Sequence, residues 1–290
     1  MEPDEPRTLG KYQLLEVVGR GGMGEVVKAW QPDLSRFVAI KTLLAGEQAT
    51  DGFIERFKRE ARVAAGLAHP NIVQVFDFGT EGRLHYIVME FVEGQSLKEL
   101  LATGPLKPER AIRIALSVAR TLQFAHERQI VHRDVKPANL LVDARDQARI
   151  LDFGLAKSLA EGKSLTLSST MLGTPYYMSP EQAFAAPEEV DARTDVYSLG
   201  AVLYEMLTGR PPFQGGTVLA ILRKIEDEDP APPGISPAID AVVLKALAKD
   251  RERRYPSAGE MAGALEACLA GAAPPAARRR GPWVLAAAAA

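Results

Sequence analysis

Strand-favouring residues fill the first third of this chain and amphipathic helical stretches fill the rest, and that order most constrains its fold. Tyr12 to Val18, Glu25 to Trp30, Phe37 to Leu44, Ile72 to Phe78 and Leu84 to Phe91 are rich in Val, Ile and aromatics, which suit pleated surfaces. One helix is predicted among them, Gly52 to Leu67, where Phe53, Ile54, Phe57, Ala61 and Ala64 recur at helical spacing. After Gly94 the spacing predicts helices over Pro108 to Arg128, Thr194 to Thr208, Thr217 to Ile225, Pro237 to Ala248 and Ser257 to Leu269. Ser257 and Glu260 have the spacing of a capping box at the start of the last one. Segregated strands and helices imply an α+β chain of two lobes, joined near Glu90 to Gly94.

The 290 residues suffice for a large core, and 47% of them are apolar. Lys plus Arg is 35 and Asp plus Glu is 37, a net charge of −2. That balance excludes a nucleic-acid binder working by bulk positive charge. A single cysteine, Cys268, excludes an internal disulfide framework and a multi-cysteine zinc site. The acidic start, Met1 to Arg7, has no apolar stretch and is not a signal peptide. His69, His85 and His126 show no metal-ligand spacing; His69 reads as packing or hydrogen-bonding locally, His85 and His126 as surface or packing residues.

Four segments carry chemistry. Gly19-Arg20-Gly21-Gly22-Met23-Gly24-Glu25-Val26 fits G-x-G-x-x-G-x-V; it is either a glycine hairpin turn or a flap whose backbone approaches an anion. Strand residues follow it, whereas a dinucleotide fold needs a helix there. Val38-Ala39-Ile40-Lys41 is an apolar strand ending in a lysine. That lysine either snorkels to water or clamps phosphates, with Glu60 as the carboxylate that holds it. His132-Arg133-Asp134-Val135-Lys136-Pro137-Ala138-Asn139 is a polar loop between the apolar pairs Ile130-Val131 and Leu140-Leu141. Asp152-Phe153-Gly154 follows Ile150-Leu151. A carboxylate and an amide oxygen together suit Mg²⁺. Singly, the last two segments read equally as a salt-bridged turn and a strand-end turn.

In this order the four segments resemble the protein kinase family, over roughly Tyr12 to Leu269. Gly173-Thr174-Pro175-Tyr176-Tyr177-Met178-Ser179-Pro180-Glu181 resembles the family's segment ending in Ala-Pro-Glu, with serine for alanine. Asp195 opens what looks like the central helix of the larger lobe, and Arg254 resembles the late arginine that pairs with Glu181. The wording around the glycines and Ser179-Pro180-Glu181-Gln182 is most similar to bacterial serine/threonine kinases of the eukaryotic type.

The resemblance implies a two-lobed fold, with an antiparallel-sheet N-lobe bearing one helix and a larger helical C-lobe. Residues 12–91 and 94–270 would be those lobes, 1–11 a tail, and 271–290 a linker with a basic juxtamembrane segment. It implies transfer of the γ-phosphate of ATP to Ser or Thr hydroxyls of proteins, with Mg²⁺ or Mn²⁺. Asp134 would be the base, Lys136 would neutralise the γ-phosphate, and Lys41 would contact the α- and β-phosphates while paired with Glu60. Asn139 and Asp152 would hold the metal. Val18 to Val26 would cover the nucleotide, with Ala39, Met89, Glu90 and Val92 around the adenine. Arg133 implies control by phosphorylation of the loop between Asp152 and Glu181, with Thr166, Ser168 and Thr170 as acceptors, in trans between two copies in a homodimer. The alternative is a catalytically weak or inactive nucleotide-binding scaffold of the same fold. No nucleic acid is implied. Arg278-Arg279-Arg280 followed by apolar residues resembles the membrane-proximal end of a single-pass kinase with a cytoplasmic catalytic domain, cut inside a transmembrane helix.

Overall fold

A computed structural model describes residues 7–21, 24–43, 58, 61–82, 84–153, 175–185 and 190–271. Strands β1 (Thr8–Leu9), β2 (Tyr12–Gly21), β3 (Gly24–Gln31), β4 (Arg36–Leu43), β5 (Val75–Glu81) and β6 (Leu84–Glu90) form one antiparallel sheet in the order β1-β2-β3-β4-β6-β5. Its central strand β4 alternates too little to face water: Val38 and Ile40 fill one cluster, Ala39 and Leu43 another, on the two faces. At Gly24 an added Cβ would lie 1.8 Å from the Thr42 carbonyl oxygen. Only glycine lets the first residue of β3 press so closely onto β4.

The C-lobe holds a small sheet of β7 (Gln95–Ser96), β8 (Leu140–Val142) and β9 (Ala148–Ile150). The same lobe holds α1 (Leu97–Leu101), α2 (Pro108–His126), α3 (Pro180–Phe184), α4 (Arg193–Thr208), α5 (Val218–Asp227), α6 (Pro237–Ala246) and α7 (Ala258–Leu269). Pro108 begins α2, where its missing amide costs nothing. Gly209 ends α4 in a left-handed conformation, φ +76°. From Thr194 to Leu207 every residue of α4 except Glu205 is buried, so α4 is the axle of the C-lobe. Ser257 caps α7 by accepting from the Glu260 amide at 3.2 Å.

The strand expected at Ile72 to Phe78 begins later, at Val75, and runs on to Glu81. Ile72 instead makes a parallel bridge to Ile150 and joins the C-lobe core. Both segments are β-rich; the partner strand, not propensity, decided the boundary. The Gly52–Leu67 helix is described at residue 58 and over 61–67; it is helical at 58 and 61–65 and ends before Gly66 and Leu67. Residues 1–6 and 272–290, with the linker and basic segment expected there, lie outside the described residues. Among the described residues no helix is long and apolar enough to cross a membrane.

One buried ion pair ties the C-lobe together. Arg254, fully buried, grips Glu181 with two bonds of 2.6 and 2.7 Å, and Thr194 Oγ1 donates to the same carboxylate at 2.7 Å. Burial disfavours the Glu181 charge, but the guanidinium and the hydroxyl outweigh it and hold the carboxyl below its usual range. Arg254→Ala leaves that carboxylate buried and unpaired. Chemical denaturation should show a loss of about 3–5 kcal/mol; a loss near zero contradicts the pairing.

Lys249 closes the end of α5, donating to the carbonyls of Lys224 and Ile225 at 3.1 and 2.7 Å, with its ammonium 4.0 Å from the Phe213 ring centroid. Burial pushes its pKa from 10.5 down to about 8. Between those values the unfolded chain binds more protons than the folded one, so raising pH adds to stability. Denaturation at about pH 8 and pH 10 should show a smaller rise in Lys249→Met than in the parent. Equal rises would contradict the burial.

Candidate active site

The loop from His132 to Asn139 is positioned by one carboxylate. Asp195, fully buried at the start of α4, accepts from the backbone amides of His132 and Arg133, both at 2.8 Å, and from His126 Nε2 at 2.8 Å. The His132 ring, also buried, donates from Nε2 to the Leu151 carbonyl at 2.8 Å and accepts at Nδ1 from the Asp134 amide at 3.2 Å. Those two partners assign its tautomer. Its edge packs on Phe153, 4.7 Å between centroids. The segment before Asp152 and the loop around Asp134 are therefore fastened to each other. A second strap is the bond from the Leu151 amide to the Asn139 carbonyl, 2.9 Å.

The predicted polar residues converge on this frame. Lys136 Nζ lies 2.6 Å from Asp134 Oδ2. The Asn139 amide donates to the Asp134 carbonyl and to Asp134 Oδ2, both at 2.8 Å. From the other lobe Lys41 Nζ reaches Asp152 Oδ2 at 2.5 Å, with both side chains about four-fifths buried. Arg133 and Asp152 have φ of +65° and +56°, a conformation that costs non-glycine residues about 1–2 kcal/mol and persists where the surroundings impose it.

The predicted apolar residues also meet. Val26, Ala39, Met89 and Val92 belong to one cluster, which Leu151 joins from beside Asp152. Val18 on β2 remains 47% exposed. The Glu90 carboxylate is gripped by Arg149 of β9 through bonds of 2.8 and 2.7 Å, so the end of β6 is tied to the strand that leads to Asp152. Beyond Asp152, the Pro175–Tyr177 turn is fixed to α4. Ser198 Oγ donates to the Tyr177 carbonyl at 2.7 Å and Tyr177 hydroxyl donates to Glu205 at 2.6 Å. Burial raises the pKa of both Tyr177 and Glu205.

Gly22, Met23, Glu60, Gly154, Thr166, Ser168, Thr170, Gly173 and Thr174 lie outside the described residues, so the Lys41–Glu60 pairing and the loop acceptors have no geometry here. Sequence reasoning missed Arg149, treated Gln182 only as motif wording, treated Asp195 only as a helix start, and read His126 as a packing or surface residue. A signal existed for Asp195, since an aspartate opening a largely apolar helix must be bonded.

A cation would find suitable donors. The Asn139 amide nitrogen is spent on Asp134, which leaves its oxygen for a ligand, and Asp152 offers a carboxylate; both suit a hard divalent ion. Among the described residues no cluster of three or more His, Cys, Asp or Glu could hold a metal alone. The remaining ligands would be phosphate oxygens and water, as Mg²⁺ accepts.

Residues 12–264 match the family model described as "Protein kinase domain". The chain belongs to the protein kinase family. It is 46% identical over 280 residues to a probable serine/threonine-protein kinase of Streptomyces coelicolor, SCO3848, covering 92% of this chain and 41% of that protein. It is also 46% identical over 266 residues to serine/threonine-protein kinase PknB of Mycobacterium leprae, covering 88% and 42%. This kinase chain thus spans about two fifths of the length of the curated relatives it matches. The crystal structure of the Mycobacterium tuberculosis PknI kinase domain superposes with a TM-score of 0.67 at 28% identity, covering 90% of this chain and 97% of that one. The two-lobed kinase fold expected from the motifs is the fold observed, and the family uses ATP and a divalent cation.

Asp195→Ala would leave the buried His132 amide, the half-buried Arg133 amide and His126 without their acceptor. Each unsatisfied buried donor costs about 1–3 kcal/mol, so denaturation should register a loss of several kcal/mol. A stability unchanged from the parent contradicts the anchoring.

Proposed function

We propose that this kinase transfers the γ-phosphate of ATP to serine and threonine hydroxyls of proteins. The observation that carries the reading is the loop in which Lys136 and Asn139 both donate to Asp134 and which is fastened, through Asp195 and His132, beside Asp152. The names of the relatives at 46% identity, serine/threonine-protein kinases, support the acceptor class.

In this reading the acceptor oxygen attacks the γ-phosphorus, the bond to the β–γ bridging oxygen breaks, and ADP leaves. The hydroxyl proton passes to Asp134 Oδ. Lys136, already beside that carboxylate, offsets negative charge on the moving phosphoryl group. Little covalent chemistry is asked of the protein; catalysis is positioning and charge neutralisation. Lys41 turns from Asp152 to the α- and β-phosphates, with Glu60 as its holder. Asn139 and Asp152 would hold Mg²⁺, which would supply Lewis-acid neutralisation of the phosphates. Adenine enters between Val18, Val26, Ala39 and Met89, with the Glu90 carbonyl and Val92 amide at its edge. The Gly19–Gly24 backbone covers the phosphates. Thr166, Ser168 and Thr170 are the proposed autophosphorylation sites, modified by a second copy. Arg278 to Arg280 support a membrane-proximal position for the domain in signalling.

Asp134→Asn keeps the size and loses the base. Its kcat should fall about 10²–10⁴-fold while nucleotide binding is kept. The check is labelled phosphate transfer to a generic protein beside a nucleotide-binding titration. Parental turnover in the variant would sink the assignment, and absence of transfer by the parent with ATP and Mg²⁺ would favour the scaffold reading. Lys41→Met and removal of divalent ions by chelation should each abolish transfer.

A further inference from the structure

Arg133 is the strained position of the catalytic loop, with φ +65°. Such a backbone needs its peptide groups held from outside. Its amide is held by Asp195 Oδ1 at 2.8 Å. Its carbonyl, which shares a peptide plane with the Asp134 amide, accepts from Gln182 Nε2 at 2.8 Å. Gln182 is the third residue of α3, and Ser179 is the cap of that helix. Ser179 Oγ accepts from the Gln182 amide at 3.4 Å, and Gln182 Oε1 accepts from the Ser179 amide at 3.2 Å. The carboxamide orientation follows, because Ser179 N–H can only donate and the Arg133 carbonyl can only accept. One end of the side chain caps its own helix and the other holds the catalytic loop. The neighbouring Glu181 is locked by Arg254 and Thr194, so α3 is a fixed support.

We propose that Gln182 is a positioning residue for phosphoryl transfer: its carboxamide NH₂ sets the Arg133–Asp134 peptide plane and so aims Asp134 at the acceptor hydroxyl. The proposal rests on the reading of Asp134 as the base. It also makes the segment carrying the Pro175–Tyr177 turn and the catalytic loop mechanically continuous, since Tyr177 precedes Ser179 by two residues.

Gln182→Glu isolates the effect. Glutamate keeps the oxygen that completes the capping box, the residue type usual there, but an ionised carboxylate donates nothing. It sets negative charge against the Arg133 carbonyl. The expected result is a kcat about 10- to 100-fold lower, as for a misplaced catalytic group. KM for ATP should stay within about twofold, since the nucleotide contacts are untouched. The melting temperature should fall only slightly, since the helix cap is kept. Gln182→Met, of equal length with neither donor nor acceptor, should lose the same kcat and also melt lower. A Gln182→Glu kcat within about twofold of the parent overturns the proposal. Amide hydrogen exchange over residues 131–135 provides a readout independent of turnover: it should speed up in Gln182→Glu, and unchanged exchange overturns the proposal. If the parent itself transfers no phosphate, the functional reading fails, while the exchange comparison still decides the role of Gln182.

Discussion

A single buried carboxylate organises the reactive centre. Asp195 enters the C-lobe on a helix buried on every side, where an unpaired charge would be intolerable. Its lone pairs are taken up by two consecutive backbone amides and one imidazole. Charge-assisted bonds to backbone are short and strong, and inside the protein they are not diluted by water. The catalytic loop therefore inherits the rigidity of α4. Asp134, Lys136 and Asn139 are small adjustments on that frame, and His132 passes the constraint on to Leu151 and hence Asp152.

The two lobes meet through interactions of different kinds. Apolar contact joins Leu151 to the cluster of Ala39 and Met89, while Lys41 and Asp152 pair charge across the cleft. Arg149 and Glu90 add a bidentate grip at the far edge. In the proposed function, the Lys41–Asp152 pair is the one of these that phosphate and metal would replace. The apolar contact and the Arg149–Glu90 grip would stay, and the Asp195 frame would be undisturbed.

Much of this was legible in the sequence because the motifs are local. Gly19 to Val26, Lys41, the His132–Asn139 loop and Asp152 are short runs whose chemistry is visible residue by residue, and the structure brings Lys41, Asp134, Lys136, Asn139 and Asp152 together as pairs. The segregation of strand texture from helix texture gave the two lobes for the same reason. What stayed hidden depends on partners distant in the chain. His126 and Asp195 are 69 positions apart, Gln182 and Arg133 are 49 apart, and Arg149 and Glu90 are 59 apart. Ile72 failed as a strand residue for the same cause, since its bridge to Ile150 is a choice of neighbour.

The most direct test is a crystal structure of the chain with a non-hydrolysable ATP analogue and Mg²⁺. The account predicts the cation between the Asn139 amide oxygen and the Asp152 carboxylate, Lys41 moved onto the α- and β-phosphates, and Asp134 still fastened through Arg133 and His132 to Asp195. A nucleotide bound elsewhere, or a cation that ignores Asn139 and Asp152, would contradict it.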